Sequence, residues 1–290
     1  MTERDLLGWG ESNLLFLSLI SSFFNAVNAL YAKKIVTEMK DNNSFIVTSF
    51  AYVALLLGLS LPWQYSFHAS LASVGLLILV IGLDTLANIL FFKAMQRIEV
   101  SALAVYLALT PLFTFVPNAI IHGFNPFVLL SMLFIISGIY FLNLKGKNPL
   151  TPFLELRKAG NLFGIATAAL YGVSMVPTQQ LLVHDWTNPV TLYFYRSAGI
   201  AIIMYILYRP KVWFPKLQIH LGLRGITVII QWIALFTALK FADGTLVVTL
   251  AYTSPLFAIF LAWFYFKERI TRAKLAASLI TITGIVITIL

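Results

Sequence analysis

The chain has 290 residues, of which 60% are apolar and 11% charged, and its net charge is +9. A water-soluble domain carries roughly 45–50% apolar and about 25% charged residues, so a soluble globular fold and a disordered chain both fit poorly. The sequence contains no cysteine, which excludes disulfides, thiol chemistry and thiolate metal sites.

Long charge-free stretches predict membrane-spanning helices. A spanning helix needs about 20 apolar residues, and the stretches 42–83 and 100–144 are each long enough for two. Turn-forming and charged residues separate the segments, because irregular backbone is costly inside hydrocarbon. We therefore predict an all-α polytopic membrane protein with ten transmembrane helices, at about residues 12–33, 43–62, 71–93, 100–121, 126–144, 160–183, 188–208, 219–239, 245–266 and 272–290.

The two halves of the chain resemble each other. A shift of 144 residues places Pro111-Leu112-Phe113 on Pro255-Leu256-Phe257, with a hydroxyl residue before each proline. Five helices in each half is an odd number, so the second half is expected to lie inverted relative to the first. The predicted units are a repeat at 1–146, a basic linker at 147–158 and a repeat at 159–290. Inverted repeats around a midplane site are a common transporter plan.

The distribution of basic residues predicts the orientation. Sixteen of the 20 lysines and arginines fall in the odd-numbered connections. Under the positive-inside rule these connections lie in the cytoplasm and both termini lie outside.

Two pairs of motifs connect the sequence with a known family. The first half carries Phe92-Lys93-Ala94-Met95 and Thr110-Pro111-Leu112-Phe113, and the second half carries Phe236-Thr237-Ala238-Leu239 and Ser254-Pro255-Leu256-Phe257. With these motifs the chain resembles the ten-helix branch of the drug/metabolite transporter superfamily, which has two EamA-type repeats. The resemblance implies the fold and a transport function, and says little about the substrate.

Polar residues inside the predicted helices are the candidate site residues, because they should face the bundle interior, a partner or a water-filled cavity. Asn25 and Asn28 lie on the first segment, where hydrogen bonding between helices is the alternative to contact with a solute. Asp84 and Asn88 are four residues apart and share one face of the third segment. Asp84 is either a proton acceptor or a substrate-amine contact, or else a buried acid that locks helix packing.

Arg196 lies on the seventh segment between two tyrosines. Because arginine stays charged, it requires an anion, backbone carbonyls or water. It is expected to meet a substrate carboxylate, or to pair with Asp84 or with carbonyl groups. EamA-type proteins often carry an arginine at a similar place, where a structural role is as reasonable as substrate binding.

The remaining candidates lie on the fourth, sixth, eighth and ninth segments. Pro111 and Pro255 each remove a backbone hydrogen bond, so kinks that free carbonyls toward a cavity are expected, although spanning helices also tolerate proline without a functional role. The other cavity candidates are Tyr106, Thr110, Tyr171, Ser174, Gln231, Trp232, Tyr252 and Ser254. Their hydroxyl groups have an alternative, which is to bond to carbonyls of their own helices.

The leading hypothesis is a secondary transporter that moves a small metabolite or drug-like solute by alternating access through a central cavity. Amino acids and related compounds are among the candidate substrates, and the first, third, fourth, sixth, eighth and ninth segments are expected to line the cavity. An integral membrane enzyme and a sugar or nucleotide-sugar exchanger are the alternatives. We expect no enzyme activity, because the polar groups are scattered and form no catalytic constellation, and no nucleic-acid partner, because the basic residues lie between hydrophobic segments as topology signals. We expect no metal or cofactor, because the sequence shows neither a metal-ligand spacing nor a phosphate-binding loop. The expected partners are a small solute and the bilayer of the cell membrane, with proton coupling as an option, and the expected state is a monomer or weak dimer.

Overall fold

The computed structural model describes residues 11–39, 41–122, 126–143, 150–211, 215–242 and 244–287. Residues 147–149 of the predicted linker lie outside these ranges. The principal helices are α1 Glu11–Met39, α2 Asn42–Gly58, α3 Leu71–Met95, α4a Val100–Leu107, α4b Thr110–His122, α5 Pro126–Asn143, α6 Ala159–Val183, α7 Pro189–Tyr208, α8 Gln218–Phe241, α9a Gly244–Ala251, α9b Pro255–Phe266 and α10 Arg272–Ile287. Short helical turns at Leu61–Gln64, Thr151–Leu156 and Pro215–Leu217 lie in the connections.

Each of the ten predicted segments corresponds to one helix or to one pair of consecutive helices. Most ends agree within about two residues; the larger differences are α1, which continues to Met39, and α2, which stops at Gly58. Lys33 remains helical, and its ammonium group donates a hydrogen bond to the Ile98 carbonyl oxygen at 3.0 Å. The helix therefore continues past Lys33, because a backbone carbonyl group accepts a hydrogen bond from its charged side chain.

The lengths and outer surfaces of the helices suit a bilayer. Five stretches of the described residues are long and apolar enough to cross one: Leu71–Met95, Val100–Ile120, Ala159–Val183, Pro189–Tyr208 and Gln218–Phe241. Large apolar side chains such as Leu71 and Ile120 are 94% and 83% exposed. Such extensive apolar exposure is rare on soluble monomers and is expected where lipid surrounds the helices.

The fourth and ninth segments are each interrupted at the same place. Both α4a and α9a have eight residues, and their bounds are related by the shift of 144 residues that aligns the two halves. Pro111 and Pro255 lie in the first turns of α4b and α9b, where a missing N–H removes no helical hydrogen bond. The predicted proline kinks are therefore full breaks, at which the prolines start new helices.

Helices of the first half pack against helices of the second half. α1 packs against α8 and α6 packs against α3, while α2 pairs with α7 and α5 pairs with α10. Moreover, α4a contacts α9b and α4b contacts α9a, which is the pattern of two helices that run in opposite directions. The interrupted helices thus lie side by side at the centre of the bundle.

Small residues permit the closest helix contacts. A Cβ atom at Gly172 of α6 would lie 2.6 Å from the Thr110 carbonyl oxygen and 2.6 Å from the Phe113 Cβ atom. Close backbone approach at glycine is a common feature of helix packing in membranes. This contact holds α6 against the start of α4b.

Candidate functional site

An ion pair between the two halves occupies the centre of the bundle. The Arg196 guanidinium of α7 pairs with the Asp84 carboxylate of α3, and both side chains are about 1% exposed. Ser174 of α6 faces the same carboxylate. The charge of Arg196 is therefore balanced inside the protein, which is one of the two roles expected for it from the sequence.

Aromatic rings surround this guanidinium group. Its Cζ atom lies 3.6 Å from the ring centroid of Trp232, 5.6 Å from that of Tyr193 and 5.9 Å from that of Phe236. A cation over an aromatic face is attracted by the quadrupole of the ring, and the attraction strengthens when water is excluded. The rings therefore fix the position of Arg196 as well as stabilise its charge.

A small polar hollow lies beside the ion pair. Its volume is about 30 Å³, enough for roughly one water molecule. Eight of the residues predicted to line a cavity do so: Asn25, Asn28, Asn88, Tyr171, Arg196, Gln231, Trp232 and Tyr252. Phe50 also borders the hollow, and it belongs to α2, a helix that the sequence did not assign to the cavity.

Amide side chains connect the helices around the hollow. Asn28 Nδ2 donates to Gln231 Oε1 at 3.1 Å, which connects α1 with α8, and Asn88 Nδ2 donates to the Asp84 carbonyl oxygen at 2.7 Å. Asn25 Nδ2 makes a longer contact of 3.4 Å with Ser254 Oγ at the break of α9. The buried Oδ1 atom of Asn28 has no hydrogen-bond donor among the described residues.

Five other predicted cavity residues do not line the hollow. Tyr106 packs into a separate apolar cluster with Val105 and Ala168, and Thr110 Oγ1 donates to the Leu107 carbonyl oxygen at 2.7 Å. Ser174 contacts Asp84 from behind, and Ser254 borders a much smaller void beside Asn25. Asp84 itself is enclosed behind Arg196 and is absent from the lining.

Arg224 is the lining residue to which the sequence analysis gave no role. It lies in α8, 3% exposed, with its Cζ atom 4.9 Å from the ring centroid of Phe45 in α2. No carboxylate pairs with it in the part of the chain that the structure describes, and its Nε atom has no hydrogen-bond acceptor there. The signal in the sequence was a guanidinium group seven residues before Gln231 in an otherwise apolar helix, and such a group indicates function by default.

Contacts between the halves close the bundle at both ends. At the end that holds the odd-numbered connections, here called the basic end, Glu268 accepts hydrogen bonds from Ser101 Oγ at 2.7 Å and Val100 N at 3.3 Å. Lys274 is paired with Glu99 and lies 3.7 Å from Glu268. These groups join the start of α4a to the loop after α9b.

At the opposite end, the contacts are made by loops. His68 N donates to the Trp186 carbonyl oxygen at 2.8 Å, and Asn188 Nδ2 donates to the Gln64 carbonyl oxygen at 2.6 Å. The hydroxyl groups of Tyr65 and Tyr195 lie 3.0 Å apart. Contacts between the halves therefore lie at both ends of the bundle.

Metal binding has no support among the described residues, in which no three His, Asp or Glu side chains cluster. The arrangement instead offers fixed polar groups, one spare positive charge and aromatic faces to a small solute.

The chain is similar to known proteins in both sequence and fold. Residues 158–290 match the family model of the EamA-like transporter family. A protein of Archaeoglobus fulgidus named "Uncharacterized transporter" is 24% identical over 199 residues, which cover 68% of this chain and 70% of that protein. A solved crystal structure shares the fold, with a TM-score of 0.67 and 17% identity over 94% of this chain and 95% of that one.

Proposed function

We propose, from the premise that residues 158–290 are a domain of the EamA-like transporter family, that this multi-pass membrane protein is a secondary transporter. It moves a small metabolite or drug-like solute through the centre of the bundle by alternating access. Its ten helices form two inverted repeats of five, which exchange inward-open and outward-open shapes. The central polar hollow is the observation that carries this proposal.

The exchange of helix pairings supports two equivalent halves. If α1 to α5 correspond to α6 to α10, the pairing of α1 with α8 becomes that of α6 with α3, and both occur. The opposite directions of α4 and α9 support the inversion, since directly repeated helices would run the same way. Two such halves can rock against each other around a fixed site.

The interrupted helices support a binding site at mid-depth. At the end of α4a and of α9a, backbone carbonyl groups lose their helical partners, and such groups are tolerated at membrane depth only where protein or a cavity satisfies them. At the break of α9, Thr253 Oγ1 donates to the Leu250 carbonyl oxygen at 2.9 Å, and Ser22 Oγ of α1 lies 2.8 Å from the same hydroxyl group. Broken helices next to a polar hollow are the arrangement expected of a transporter site.

The hollow holds roughly one water molecule, so the arrangement described here is a closed one. A solute enters when the contacts at one end separate: the Glu268 group at the basic end, or the loop contacts near Tyr65 and Tyr195 at the other. The concentration of lysine and arginine assigns the basic end to the cytoplasm. We propose that the protein acts in the cell membrane, as a monomer or weak dimer.

Asp84 is the candidate for proton coupling, because it is the acid that lies deepest in a spanning helix. A proton on Asp84 would release Arg196 from the ion pair, so protonation and rearrangement of the core are linked. If coupling runs through this pair, pH-driven uptake is lost in Asp84→Asn while exchange of substrate at equal pH remains. Retained pH-driven uptake would assign Asp84 to packing.

Solute flux tests the proposed function. Purified protein in proteoliposomes is assayed for uptake of amino acids, organic acids, sugars and amphipathic drugs, against vesicles without protein. We expect saturable uptake of one class, reduced in Gln231→Leu, which removes the amide that bonds to Asn28. A matched variant, Gln96→Leu, changes an exposed glutamine in a connection and is expected to leave uptake unchanged. Absence of saturable uptake for every class would contradict a transport function.

A further inference from the structure

The buried charges at the centre do not cancel. Arg196 and Asp84 neutralise each other as an ion pair, while Arg224 lines the same hollow without a carboxylate partner among the described residues. The other polar residues around the hollow are neutral amides and tyrosines. The hollow therefore carries one uncompensated positive charge.

The surroundings of Arg224 do not account for this charge. Its guanidinium group lies over the Phe45 ring, which contributes attraction without a negative charge, and its Nε atom lacks an acceptor. A buried charge without a partner is costly in low dielectric, and it persists where something else supplies the counter-charge. The planar guanidinium fork matches a carboxylate in shape and in hydrogen-bond geometry.

The opposite side of the hollow is suited to the rest of a small organic molecule. The Trp232 ring borders it, with its centroid 6.1 Å from the ring centroid of Tyr171, and Asn28 leaves its Oδ1 atom without a donor. These groups suit an apolar or aromatic body with one polar substituent, for which the hollow must widen beyond its volume of about 30 Å³. One spare positive charge matches one negative charge.

We propose that the central hollow is an anion site, in which Arg224 binds the carboxylate of a small organic monoanion. This assignment rests on the proposed transport function and names the class of its substrate. Binding of the anion compensates Arg224, so the occupied protein can bury its centre without an unpaired charge. Cations are disfavoured at the site for the same reason.

A binding assay tests the assignment independently of transport. Thermal denaturation of the purified protein is measured with acetate, benzoate and indole-3-acetate, and with the amide of each acid. We expect the carboxylates to raise the melting temperature and the neutral amides to have little effect. Arg224→Gln should weaken carboxylate binding by about 10- to 100-fold, the range for hydrogen bonds to charged groups. Arg272→Gln, which removes an equal charge from the exposed start of α10, should bind as the wild type does.

The ligand-free variants separate binding from a structural role. Without ligand, Arg224→Gln should melt at or above the wild-type temperature, because it removes an unpaired buried charge. A lower melting temperature together with unchanged anion binding would make Arg224 structural and overturn the proposal. Should Arg224→Gln fail to fold, Arg224→Lys replaces it, with anion preference kept and affinity reduced by loss of the fork. Equal effects of acids and amides, or no effect of any, would also overturn it.

Flux measurements keep the two proposals distinguishable. Carboxylate-selective binding that depends on Arg224, without uptake of any carboxylate into proteoliposomes, supports the anion site and contradicts transport. Uptake of neutral or cationic solutes that is unchanged in Arg224→Gln supports transport and overturns the anion site.

Discussion

Removal of Asp84 alone should be far more damaging than removal of the whole ion pair. Asp84→Asn keeps the shape of the side chain and leaves the Arg196 guanidinium about 1% exposed without its counter-charge. Breaking a buried pair in this way costs about 3–5 kcal/mol. The contact between Arg196 and the Trp232 ring is present with and without the carboxylate, so it does not change this difference. We therefore expect the free energy of unfolding to fall by about 3–5 kcal/mol.

The double variant Asp84→Leu with Arg196→Met should recover most of that loss. It replaces both charges with apolar side chains of similar size, a change that is often neutral or stabilising for buried pairs. The assay is equilibrium unfolding of the purified protein in mixed micelles, followed by circular dichroism. If the double variant is nearly as stable as the wild type and Asp84→Asn is not, the stability lost in Asp84→Asn is due to the unpaired buried charge of Arg196.

Asp185→Asn is the matched control for this prediction. Asp185 also pairs with a cation, Lys240 at 2.7 Å, but its side chain is 62% exposed, and asparagine tolerates its positive φ of 53°. An exposed pair contributes at most about 1 kcal/mol. If Asp84→Asn is no less stable than Asp185→Asn, or if the double variant is less stable than Asp84→Asn, the account of the core is refuted.

Three further predictions concern packing and the two halves. Gly172→Ala should lower the free energy of unfolding by about 1–3 kcal/mol, because its new Cβ meets a backbone carbonyl that cannot yield. Gly82→Ala enters open space and should be neutral or slightly stabilising in the same assay, because alanine favours the helix more than glycine does. Glu268→Gln should lower the free energy of unfolding by about 1 kcal/mol, because the hydrogen bonds to the start of α4a lose their charged acceptor. Amide hydrogen exchange should rise in that turn of α4a and stay unchanged in α6. Trp232→Leu removes the ring under Arg196 and should lower the melting temperature, while Trp263→Leu, on an exposed face, should not; equal effects would contradict the role given to that ring.

The helices could be predicted from sequence because hydrocarbon imposes a strict rule on them. Charges and turn formers are rare in the spanning segments and frequent in the connections, so the clusters of such residues locate the ends of α3, α6 and α8 closely. The breaks at Pro111 and Pro255 were predicted as kinks, because sequence shows a proline without showing that the helix restarts there.

The site could be predicted only in part. Polarity within an apolar helix identified Asn28, Gln231 and Arg196, since each such residue must face inward. Which inward residues meet one another depends on helix rotation and on crossing points, which are set by packing across the two halves. Tyr106 therefore lies in a separate apolar cluster rather than at the hollow, and the significance of Arg224 emerged only once its neighbours were known.

Access to the central hollow from both sides of the membrane is the most direct test of alternating access. The chain has no cysteine, so a single Gln231→Cys reports the hollow, and a membrane-impermeant maleimide can be applied to either face of oriented vesicles. Trp63→Cys, 82% exposed at the opposite end, reports which face is labelled. We expect slow labelling of position 231 from both faces, and loss of labelling from one face alone when cysteines at Tyr65 and Tyr195 are cross-linked. Labelling from a single face that the cross-link does not change, or no labelling from either, would contradict alternating access.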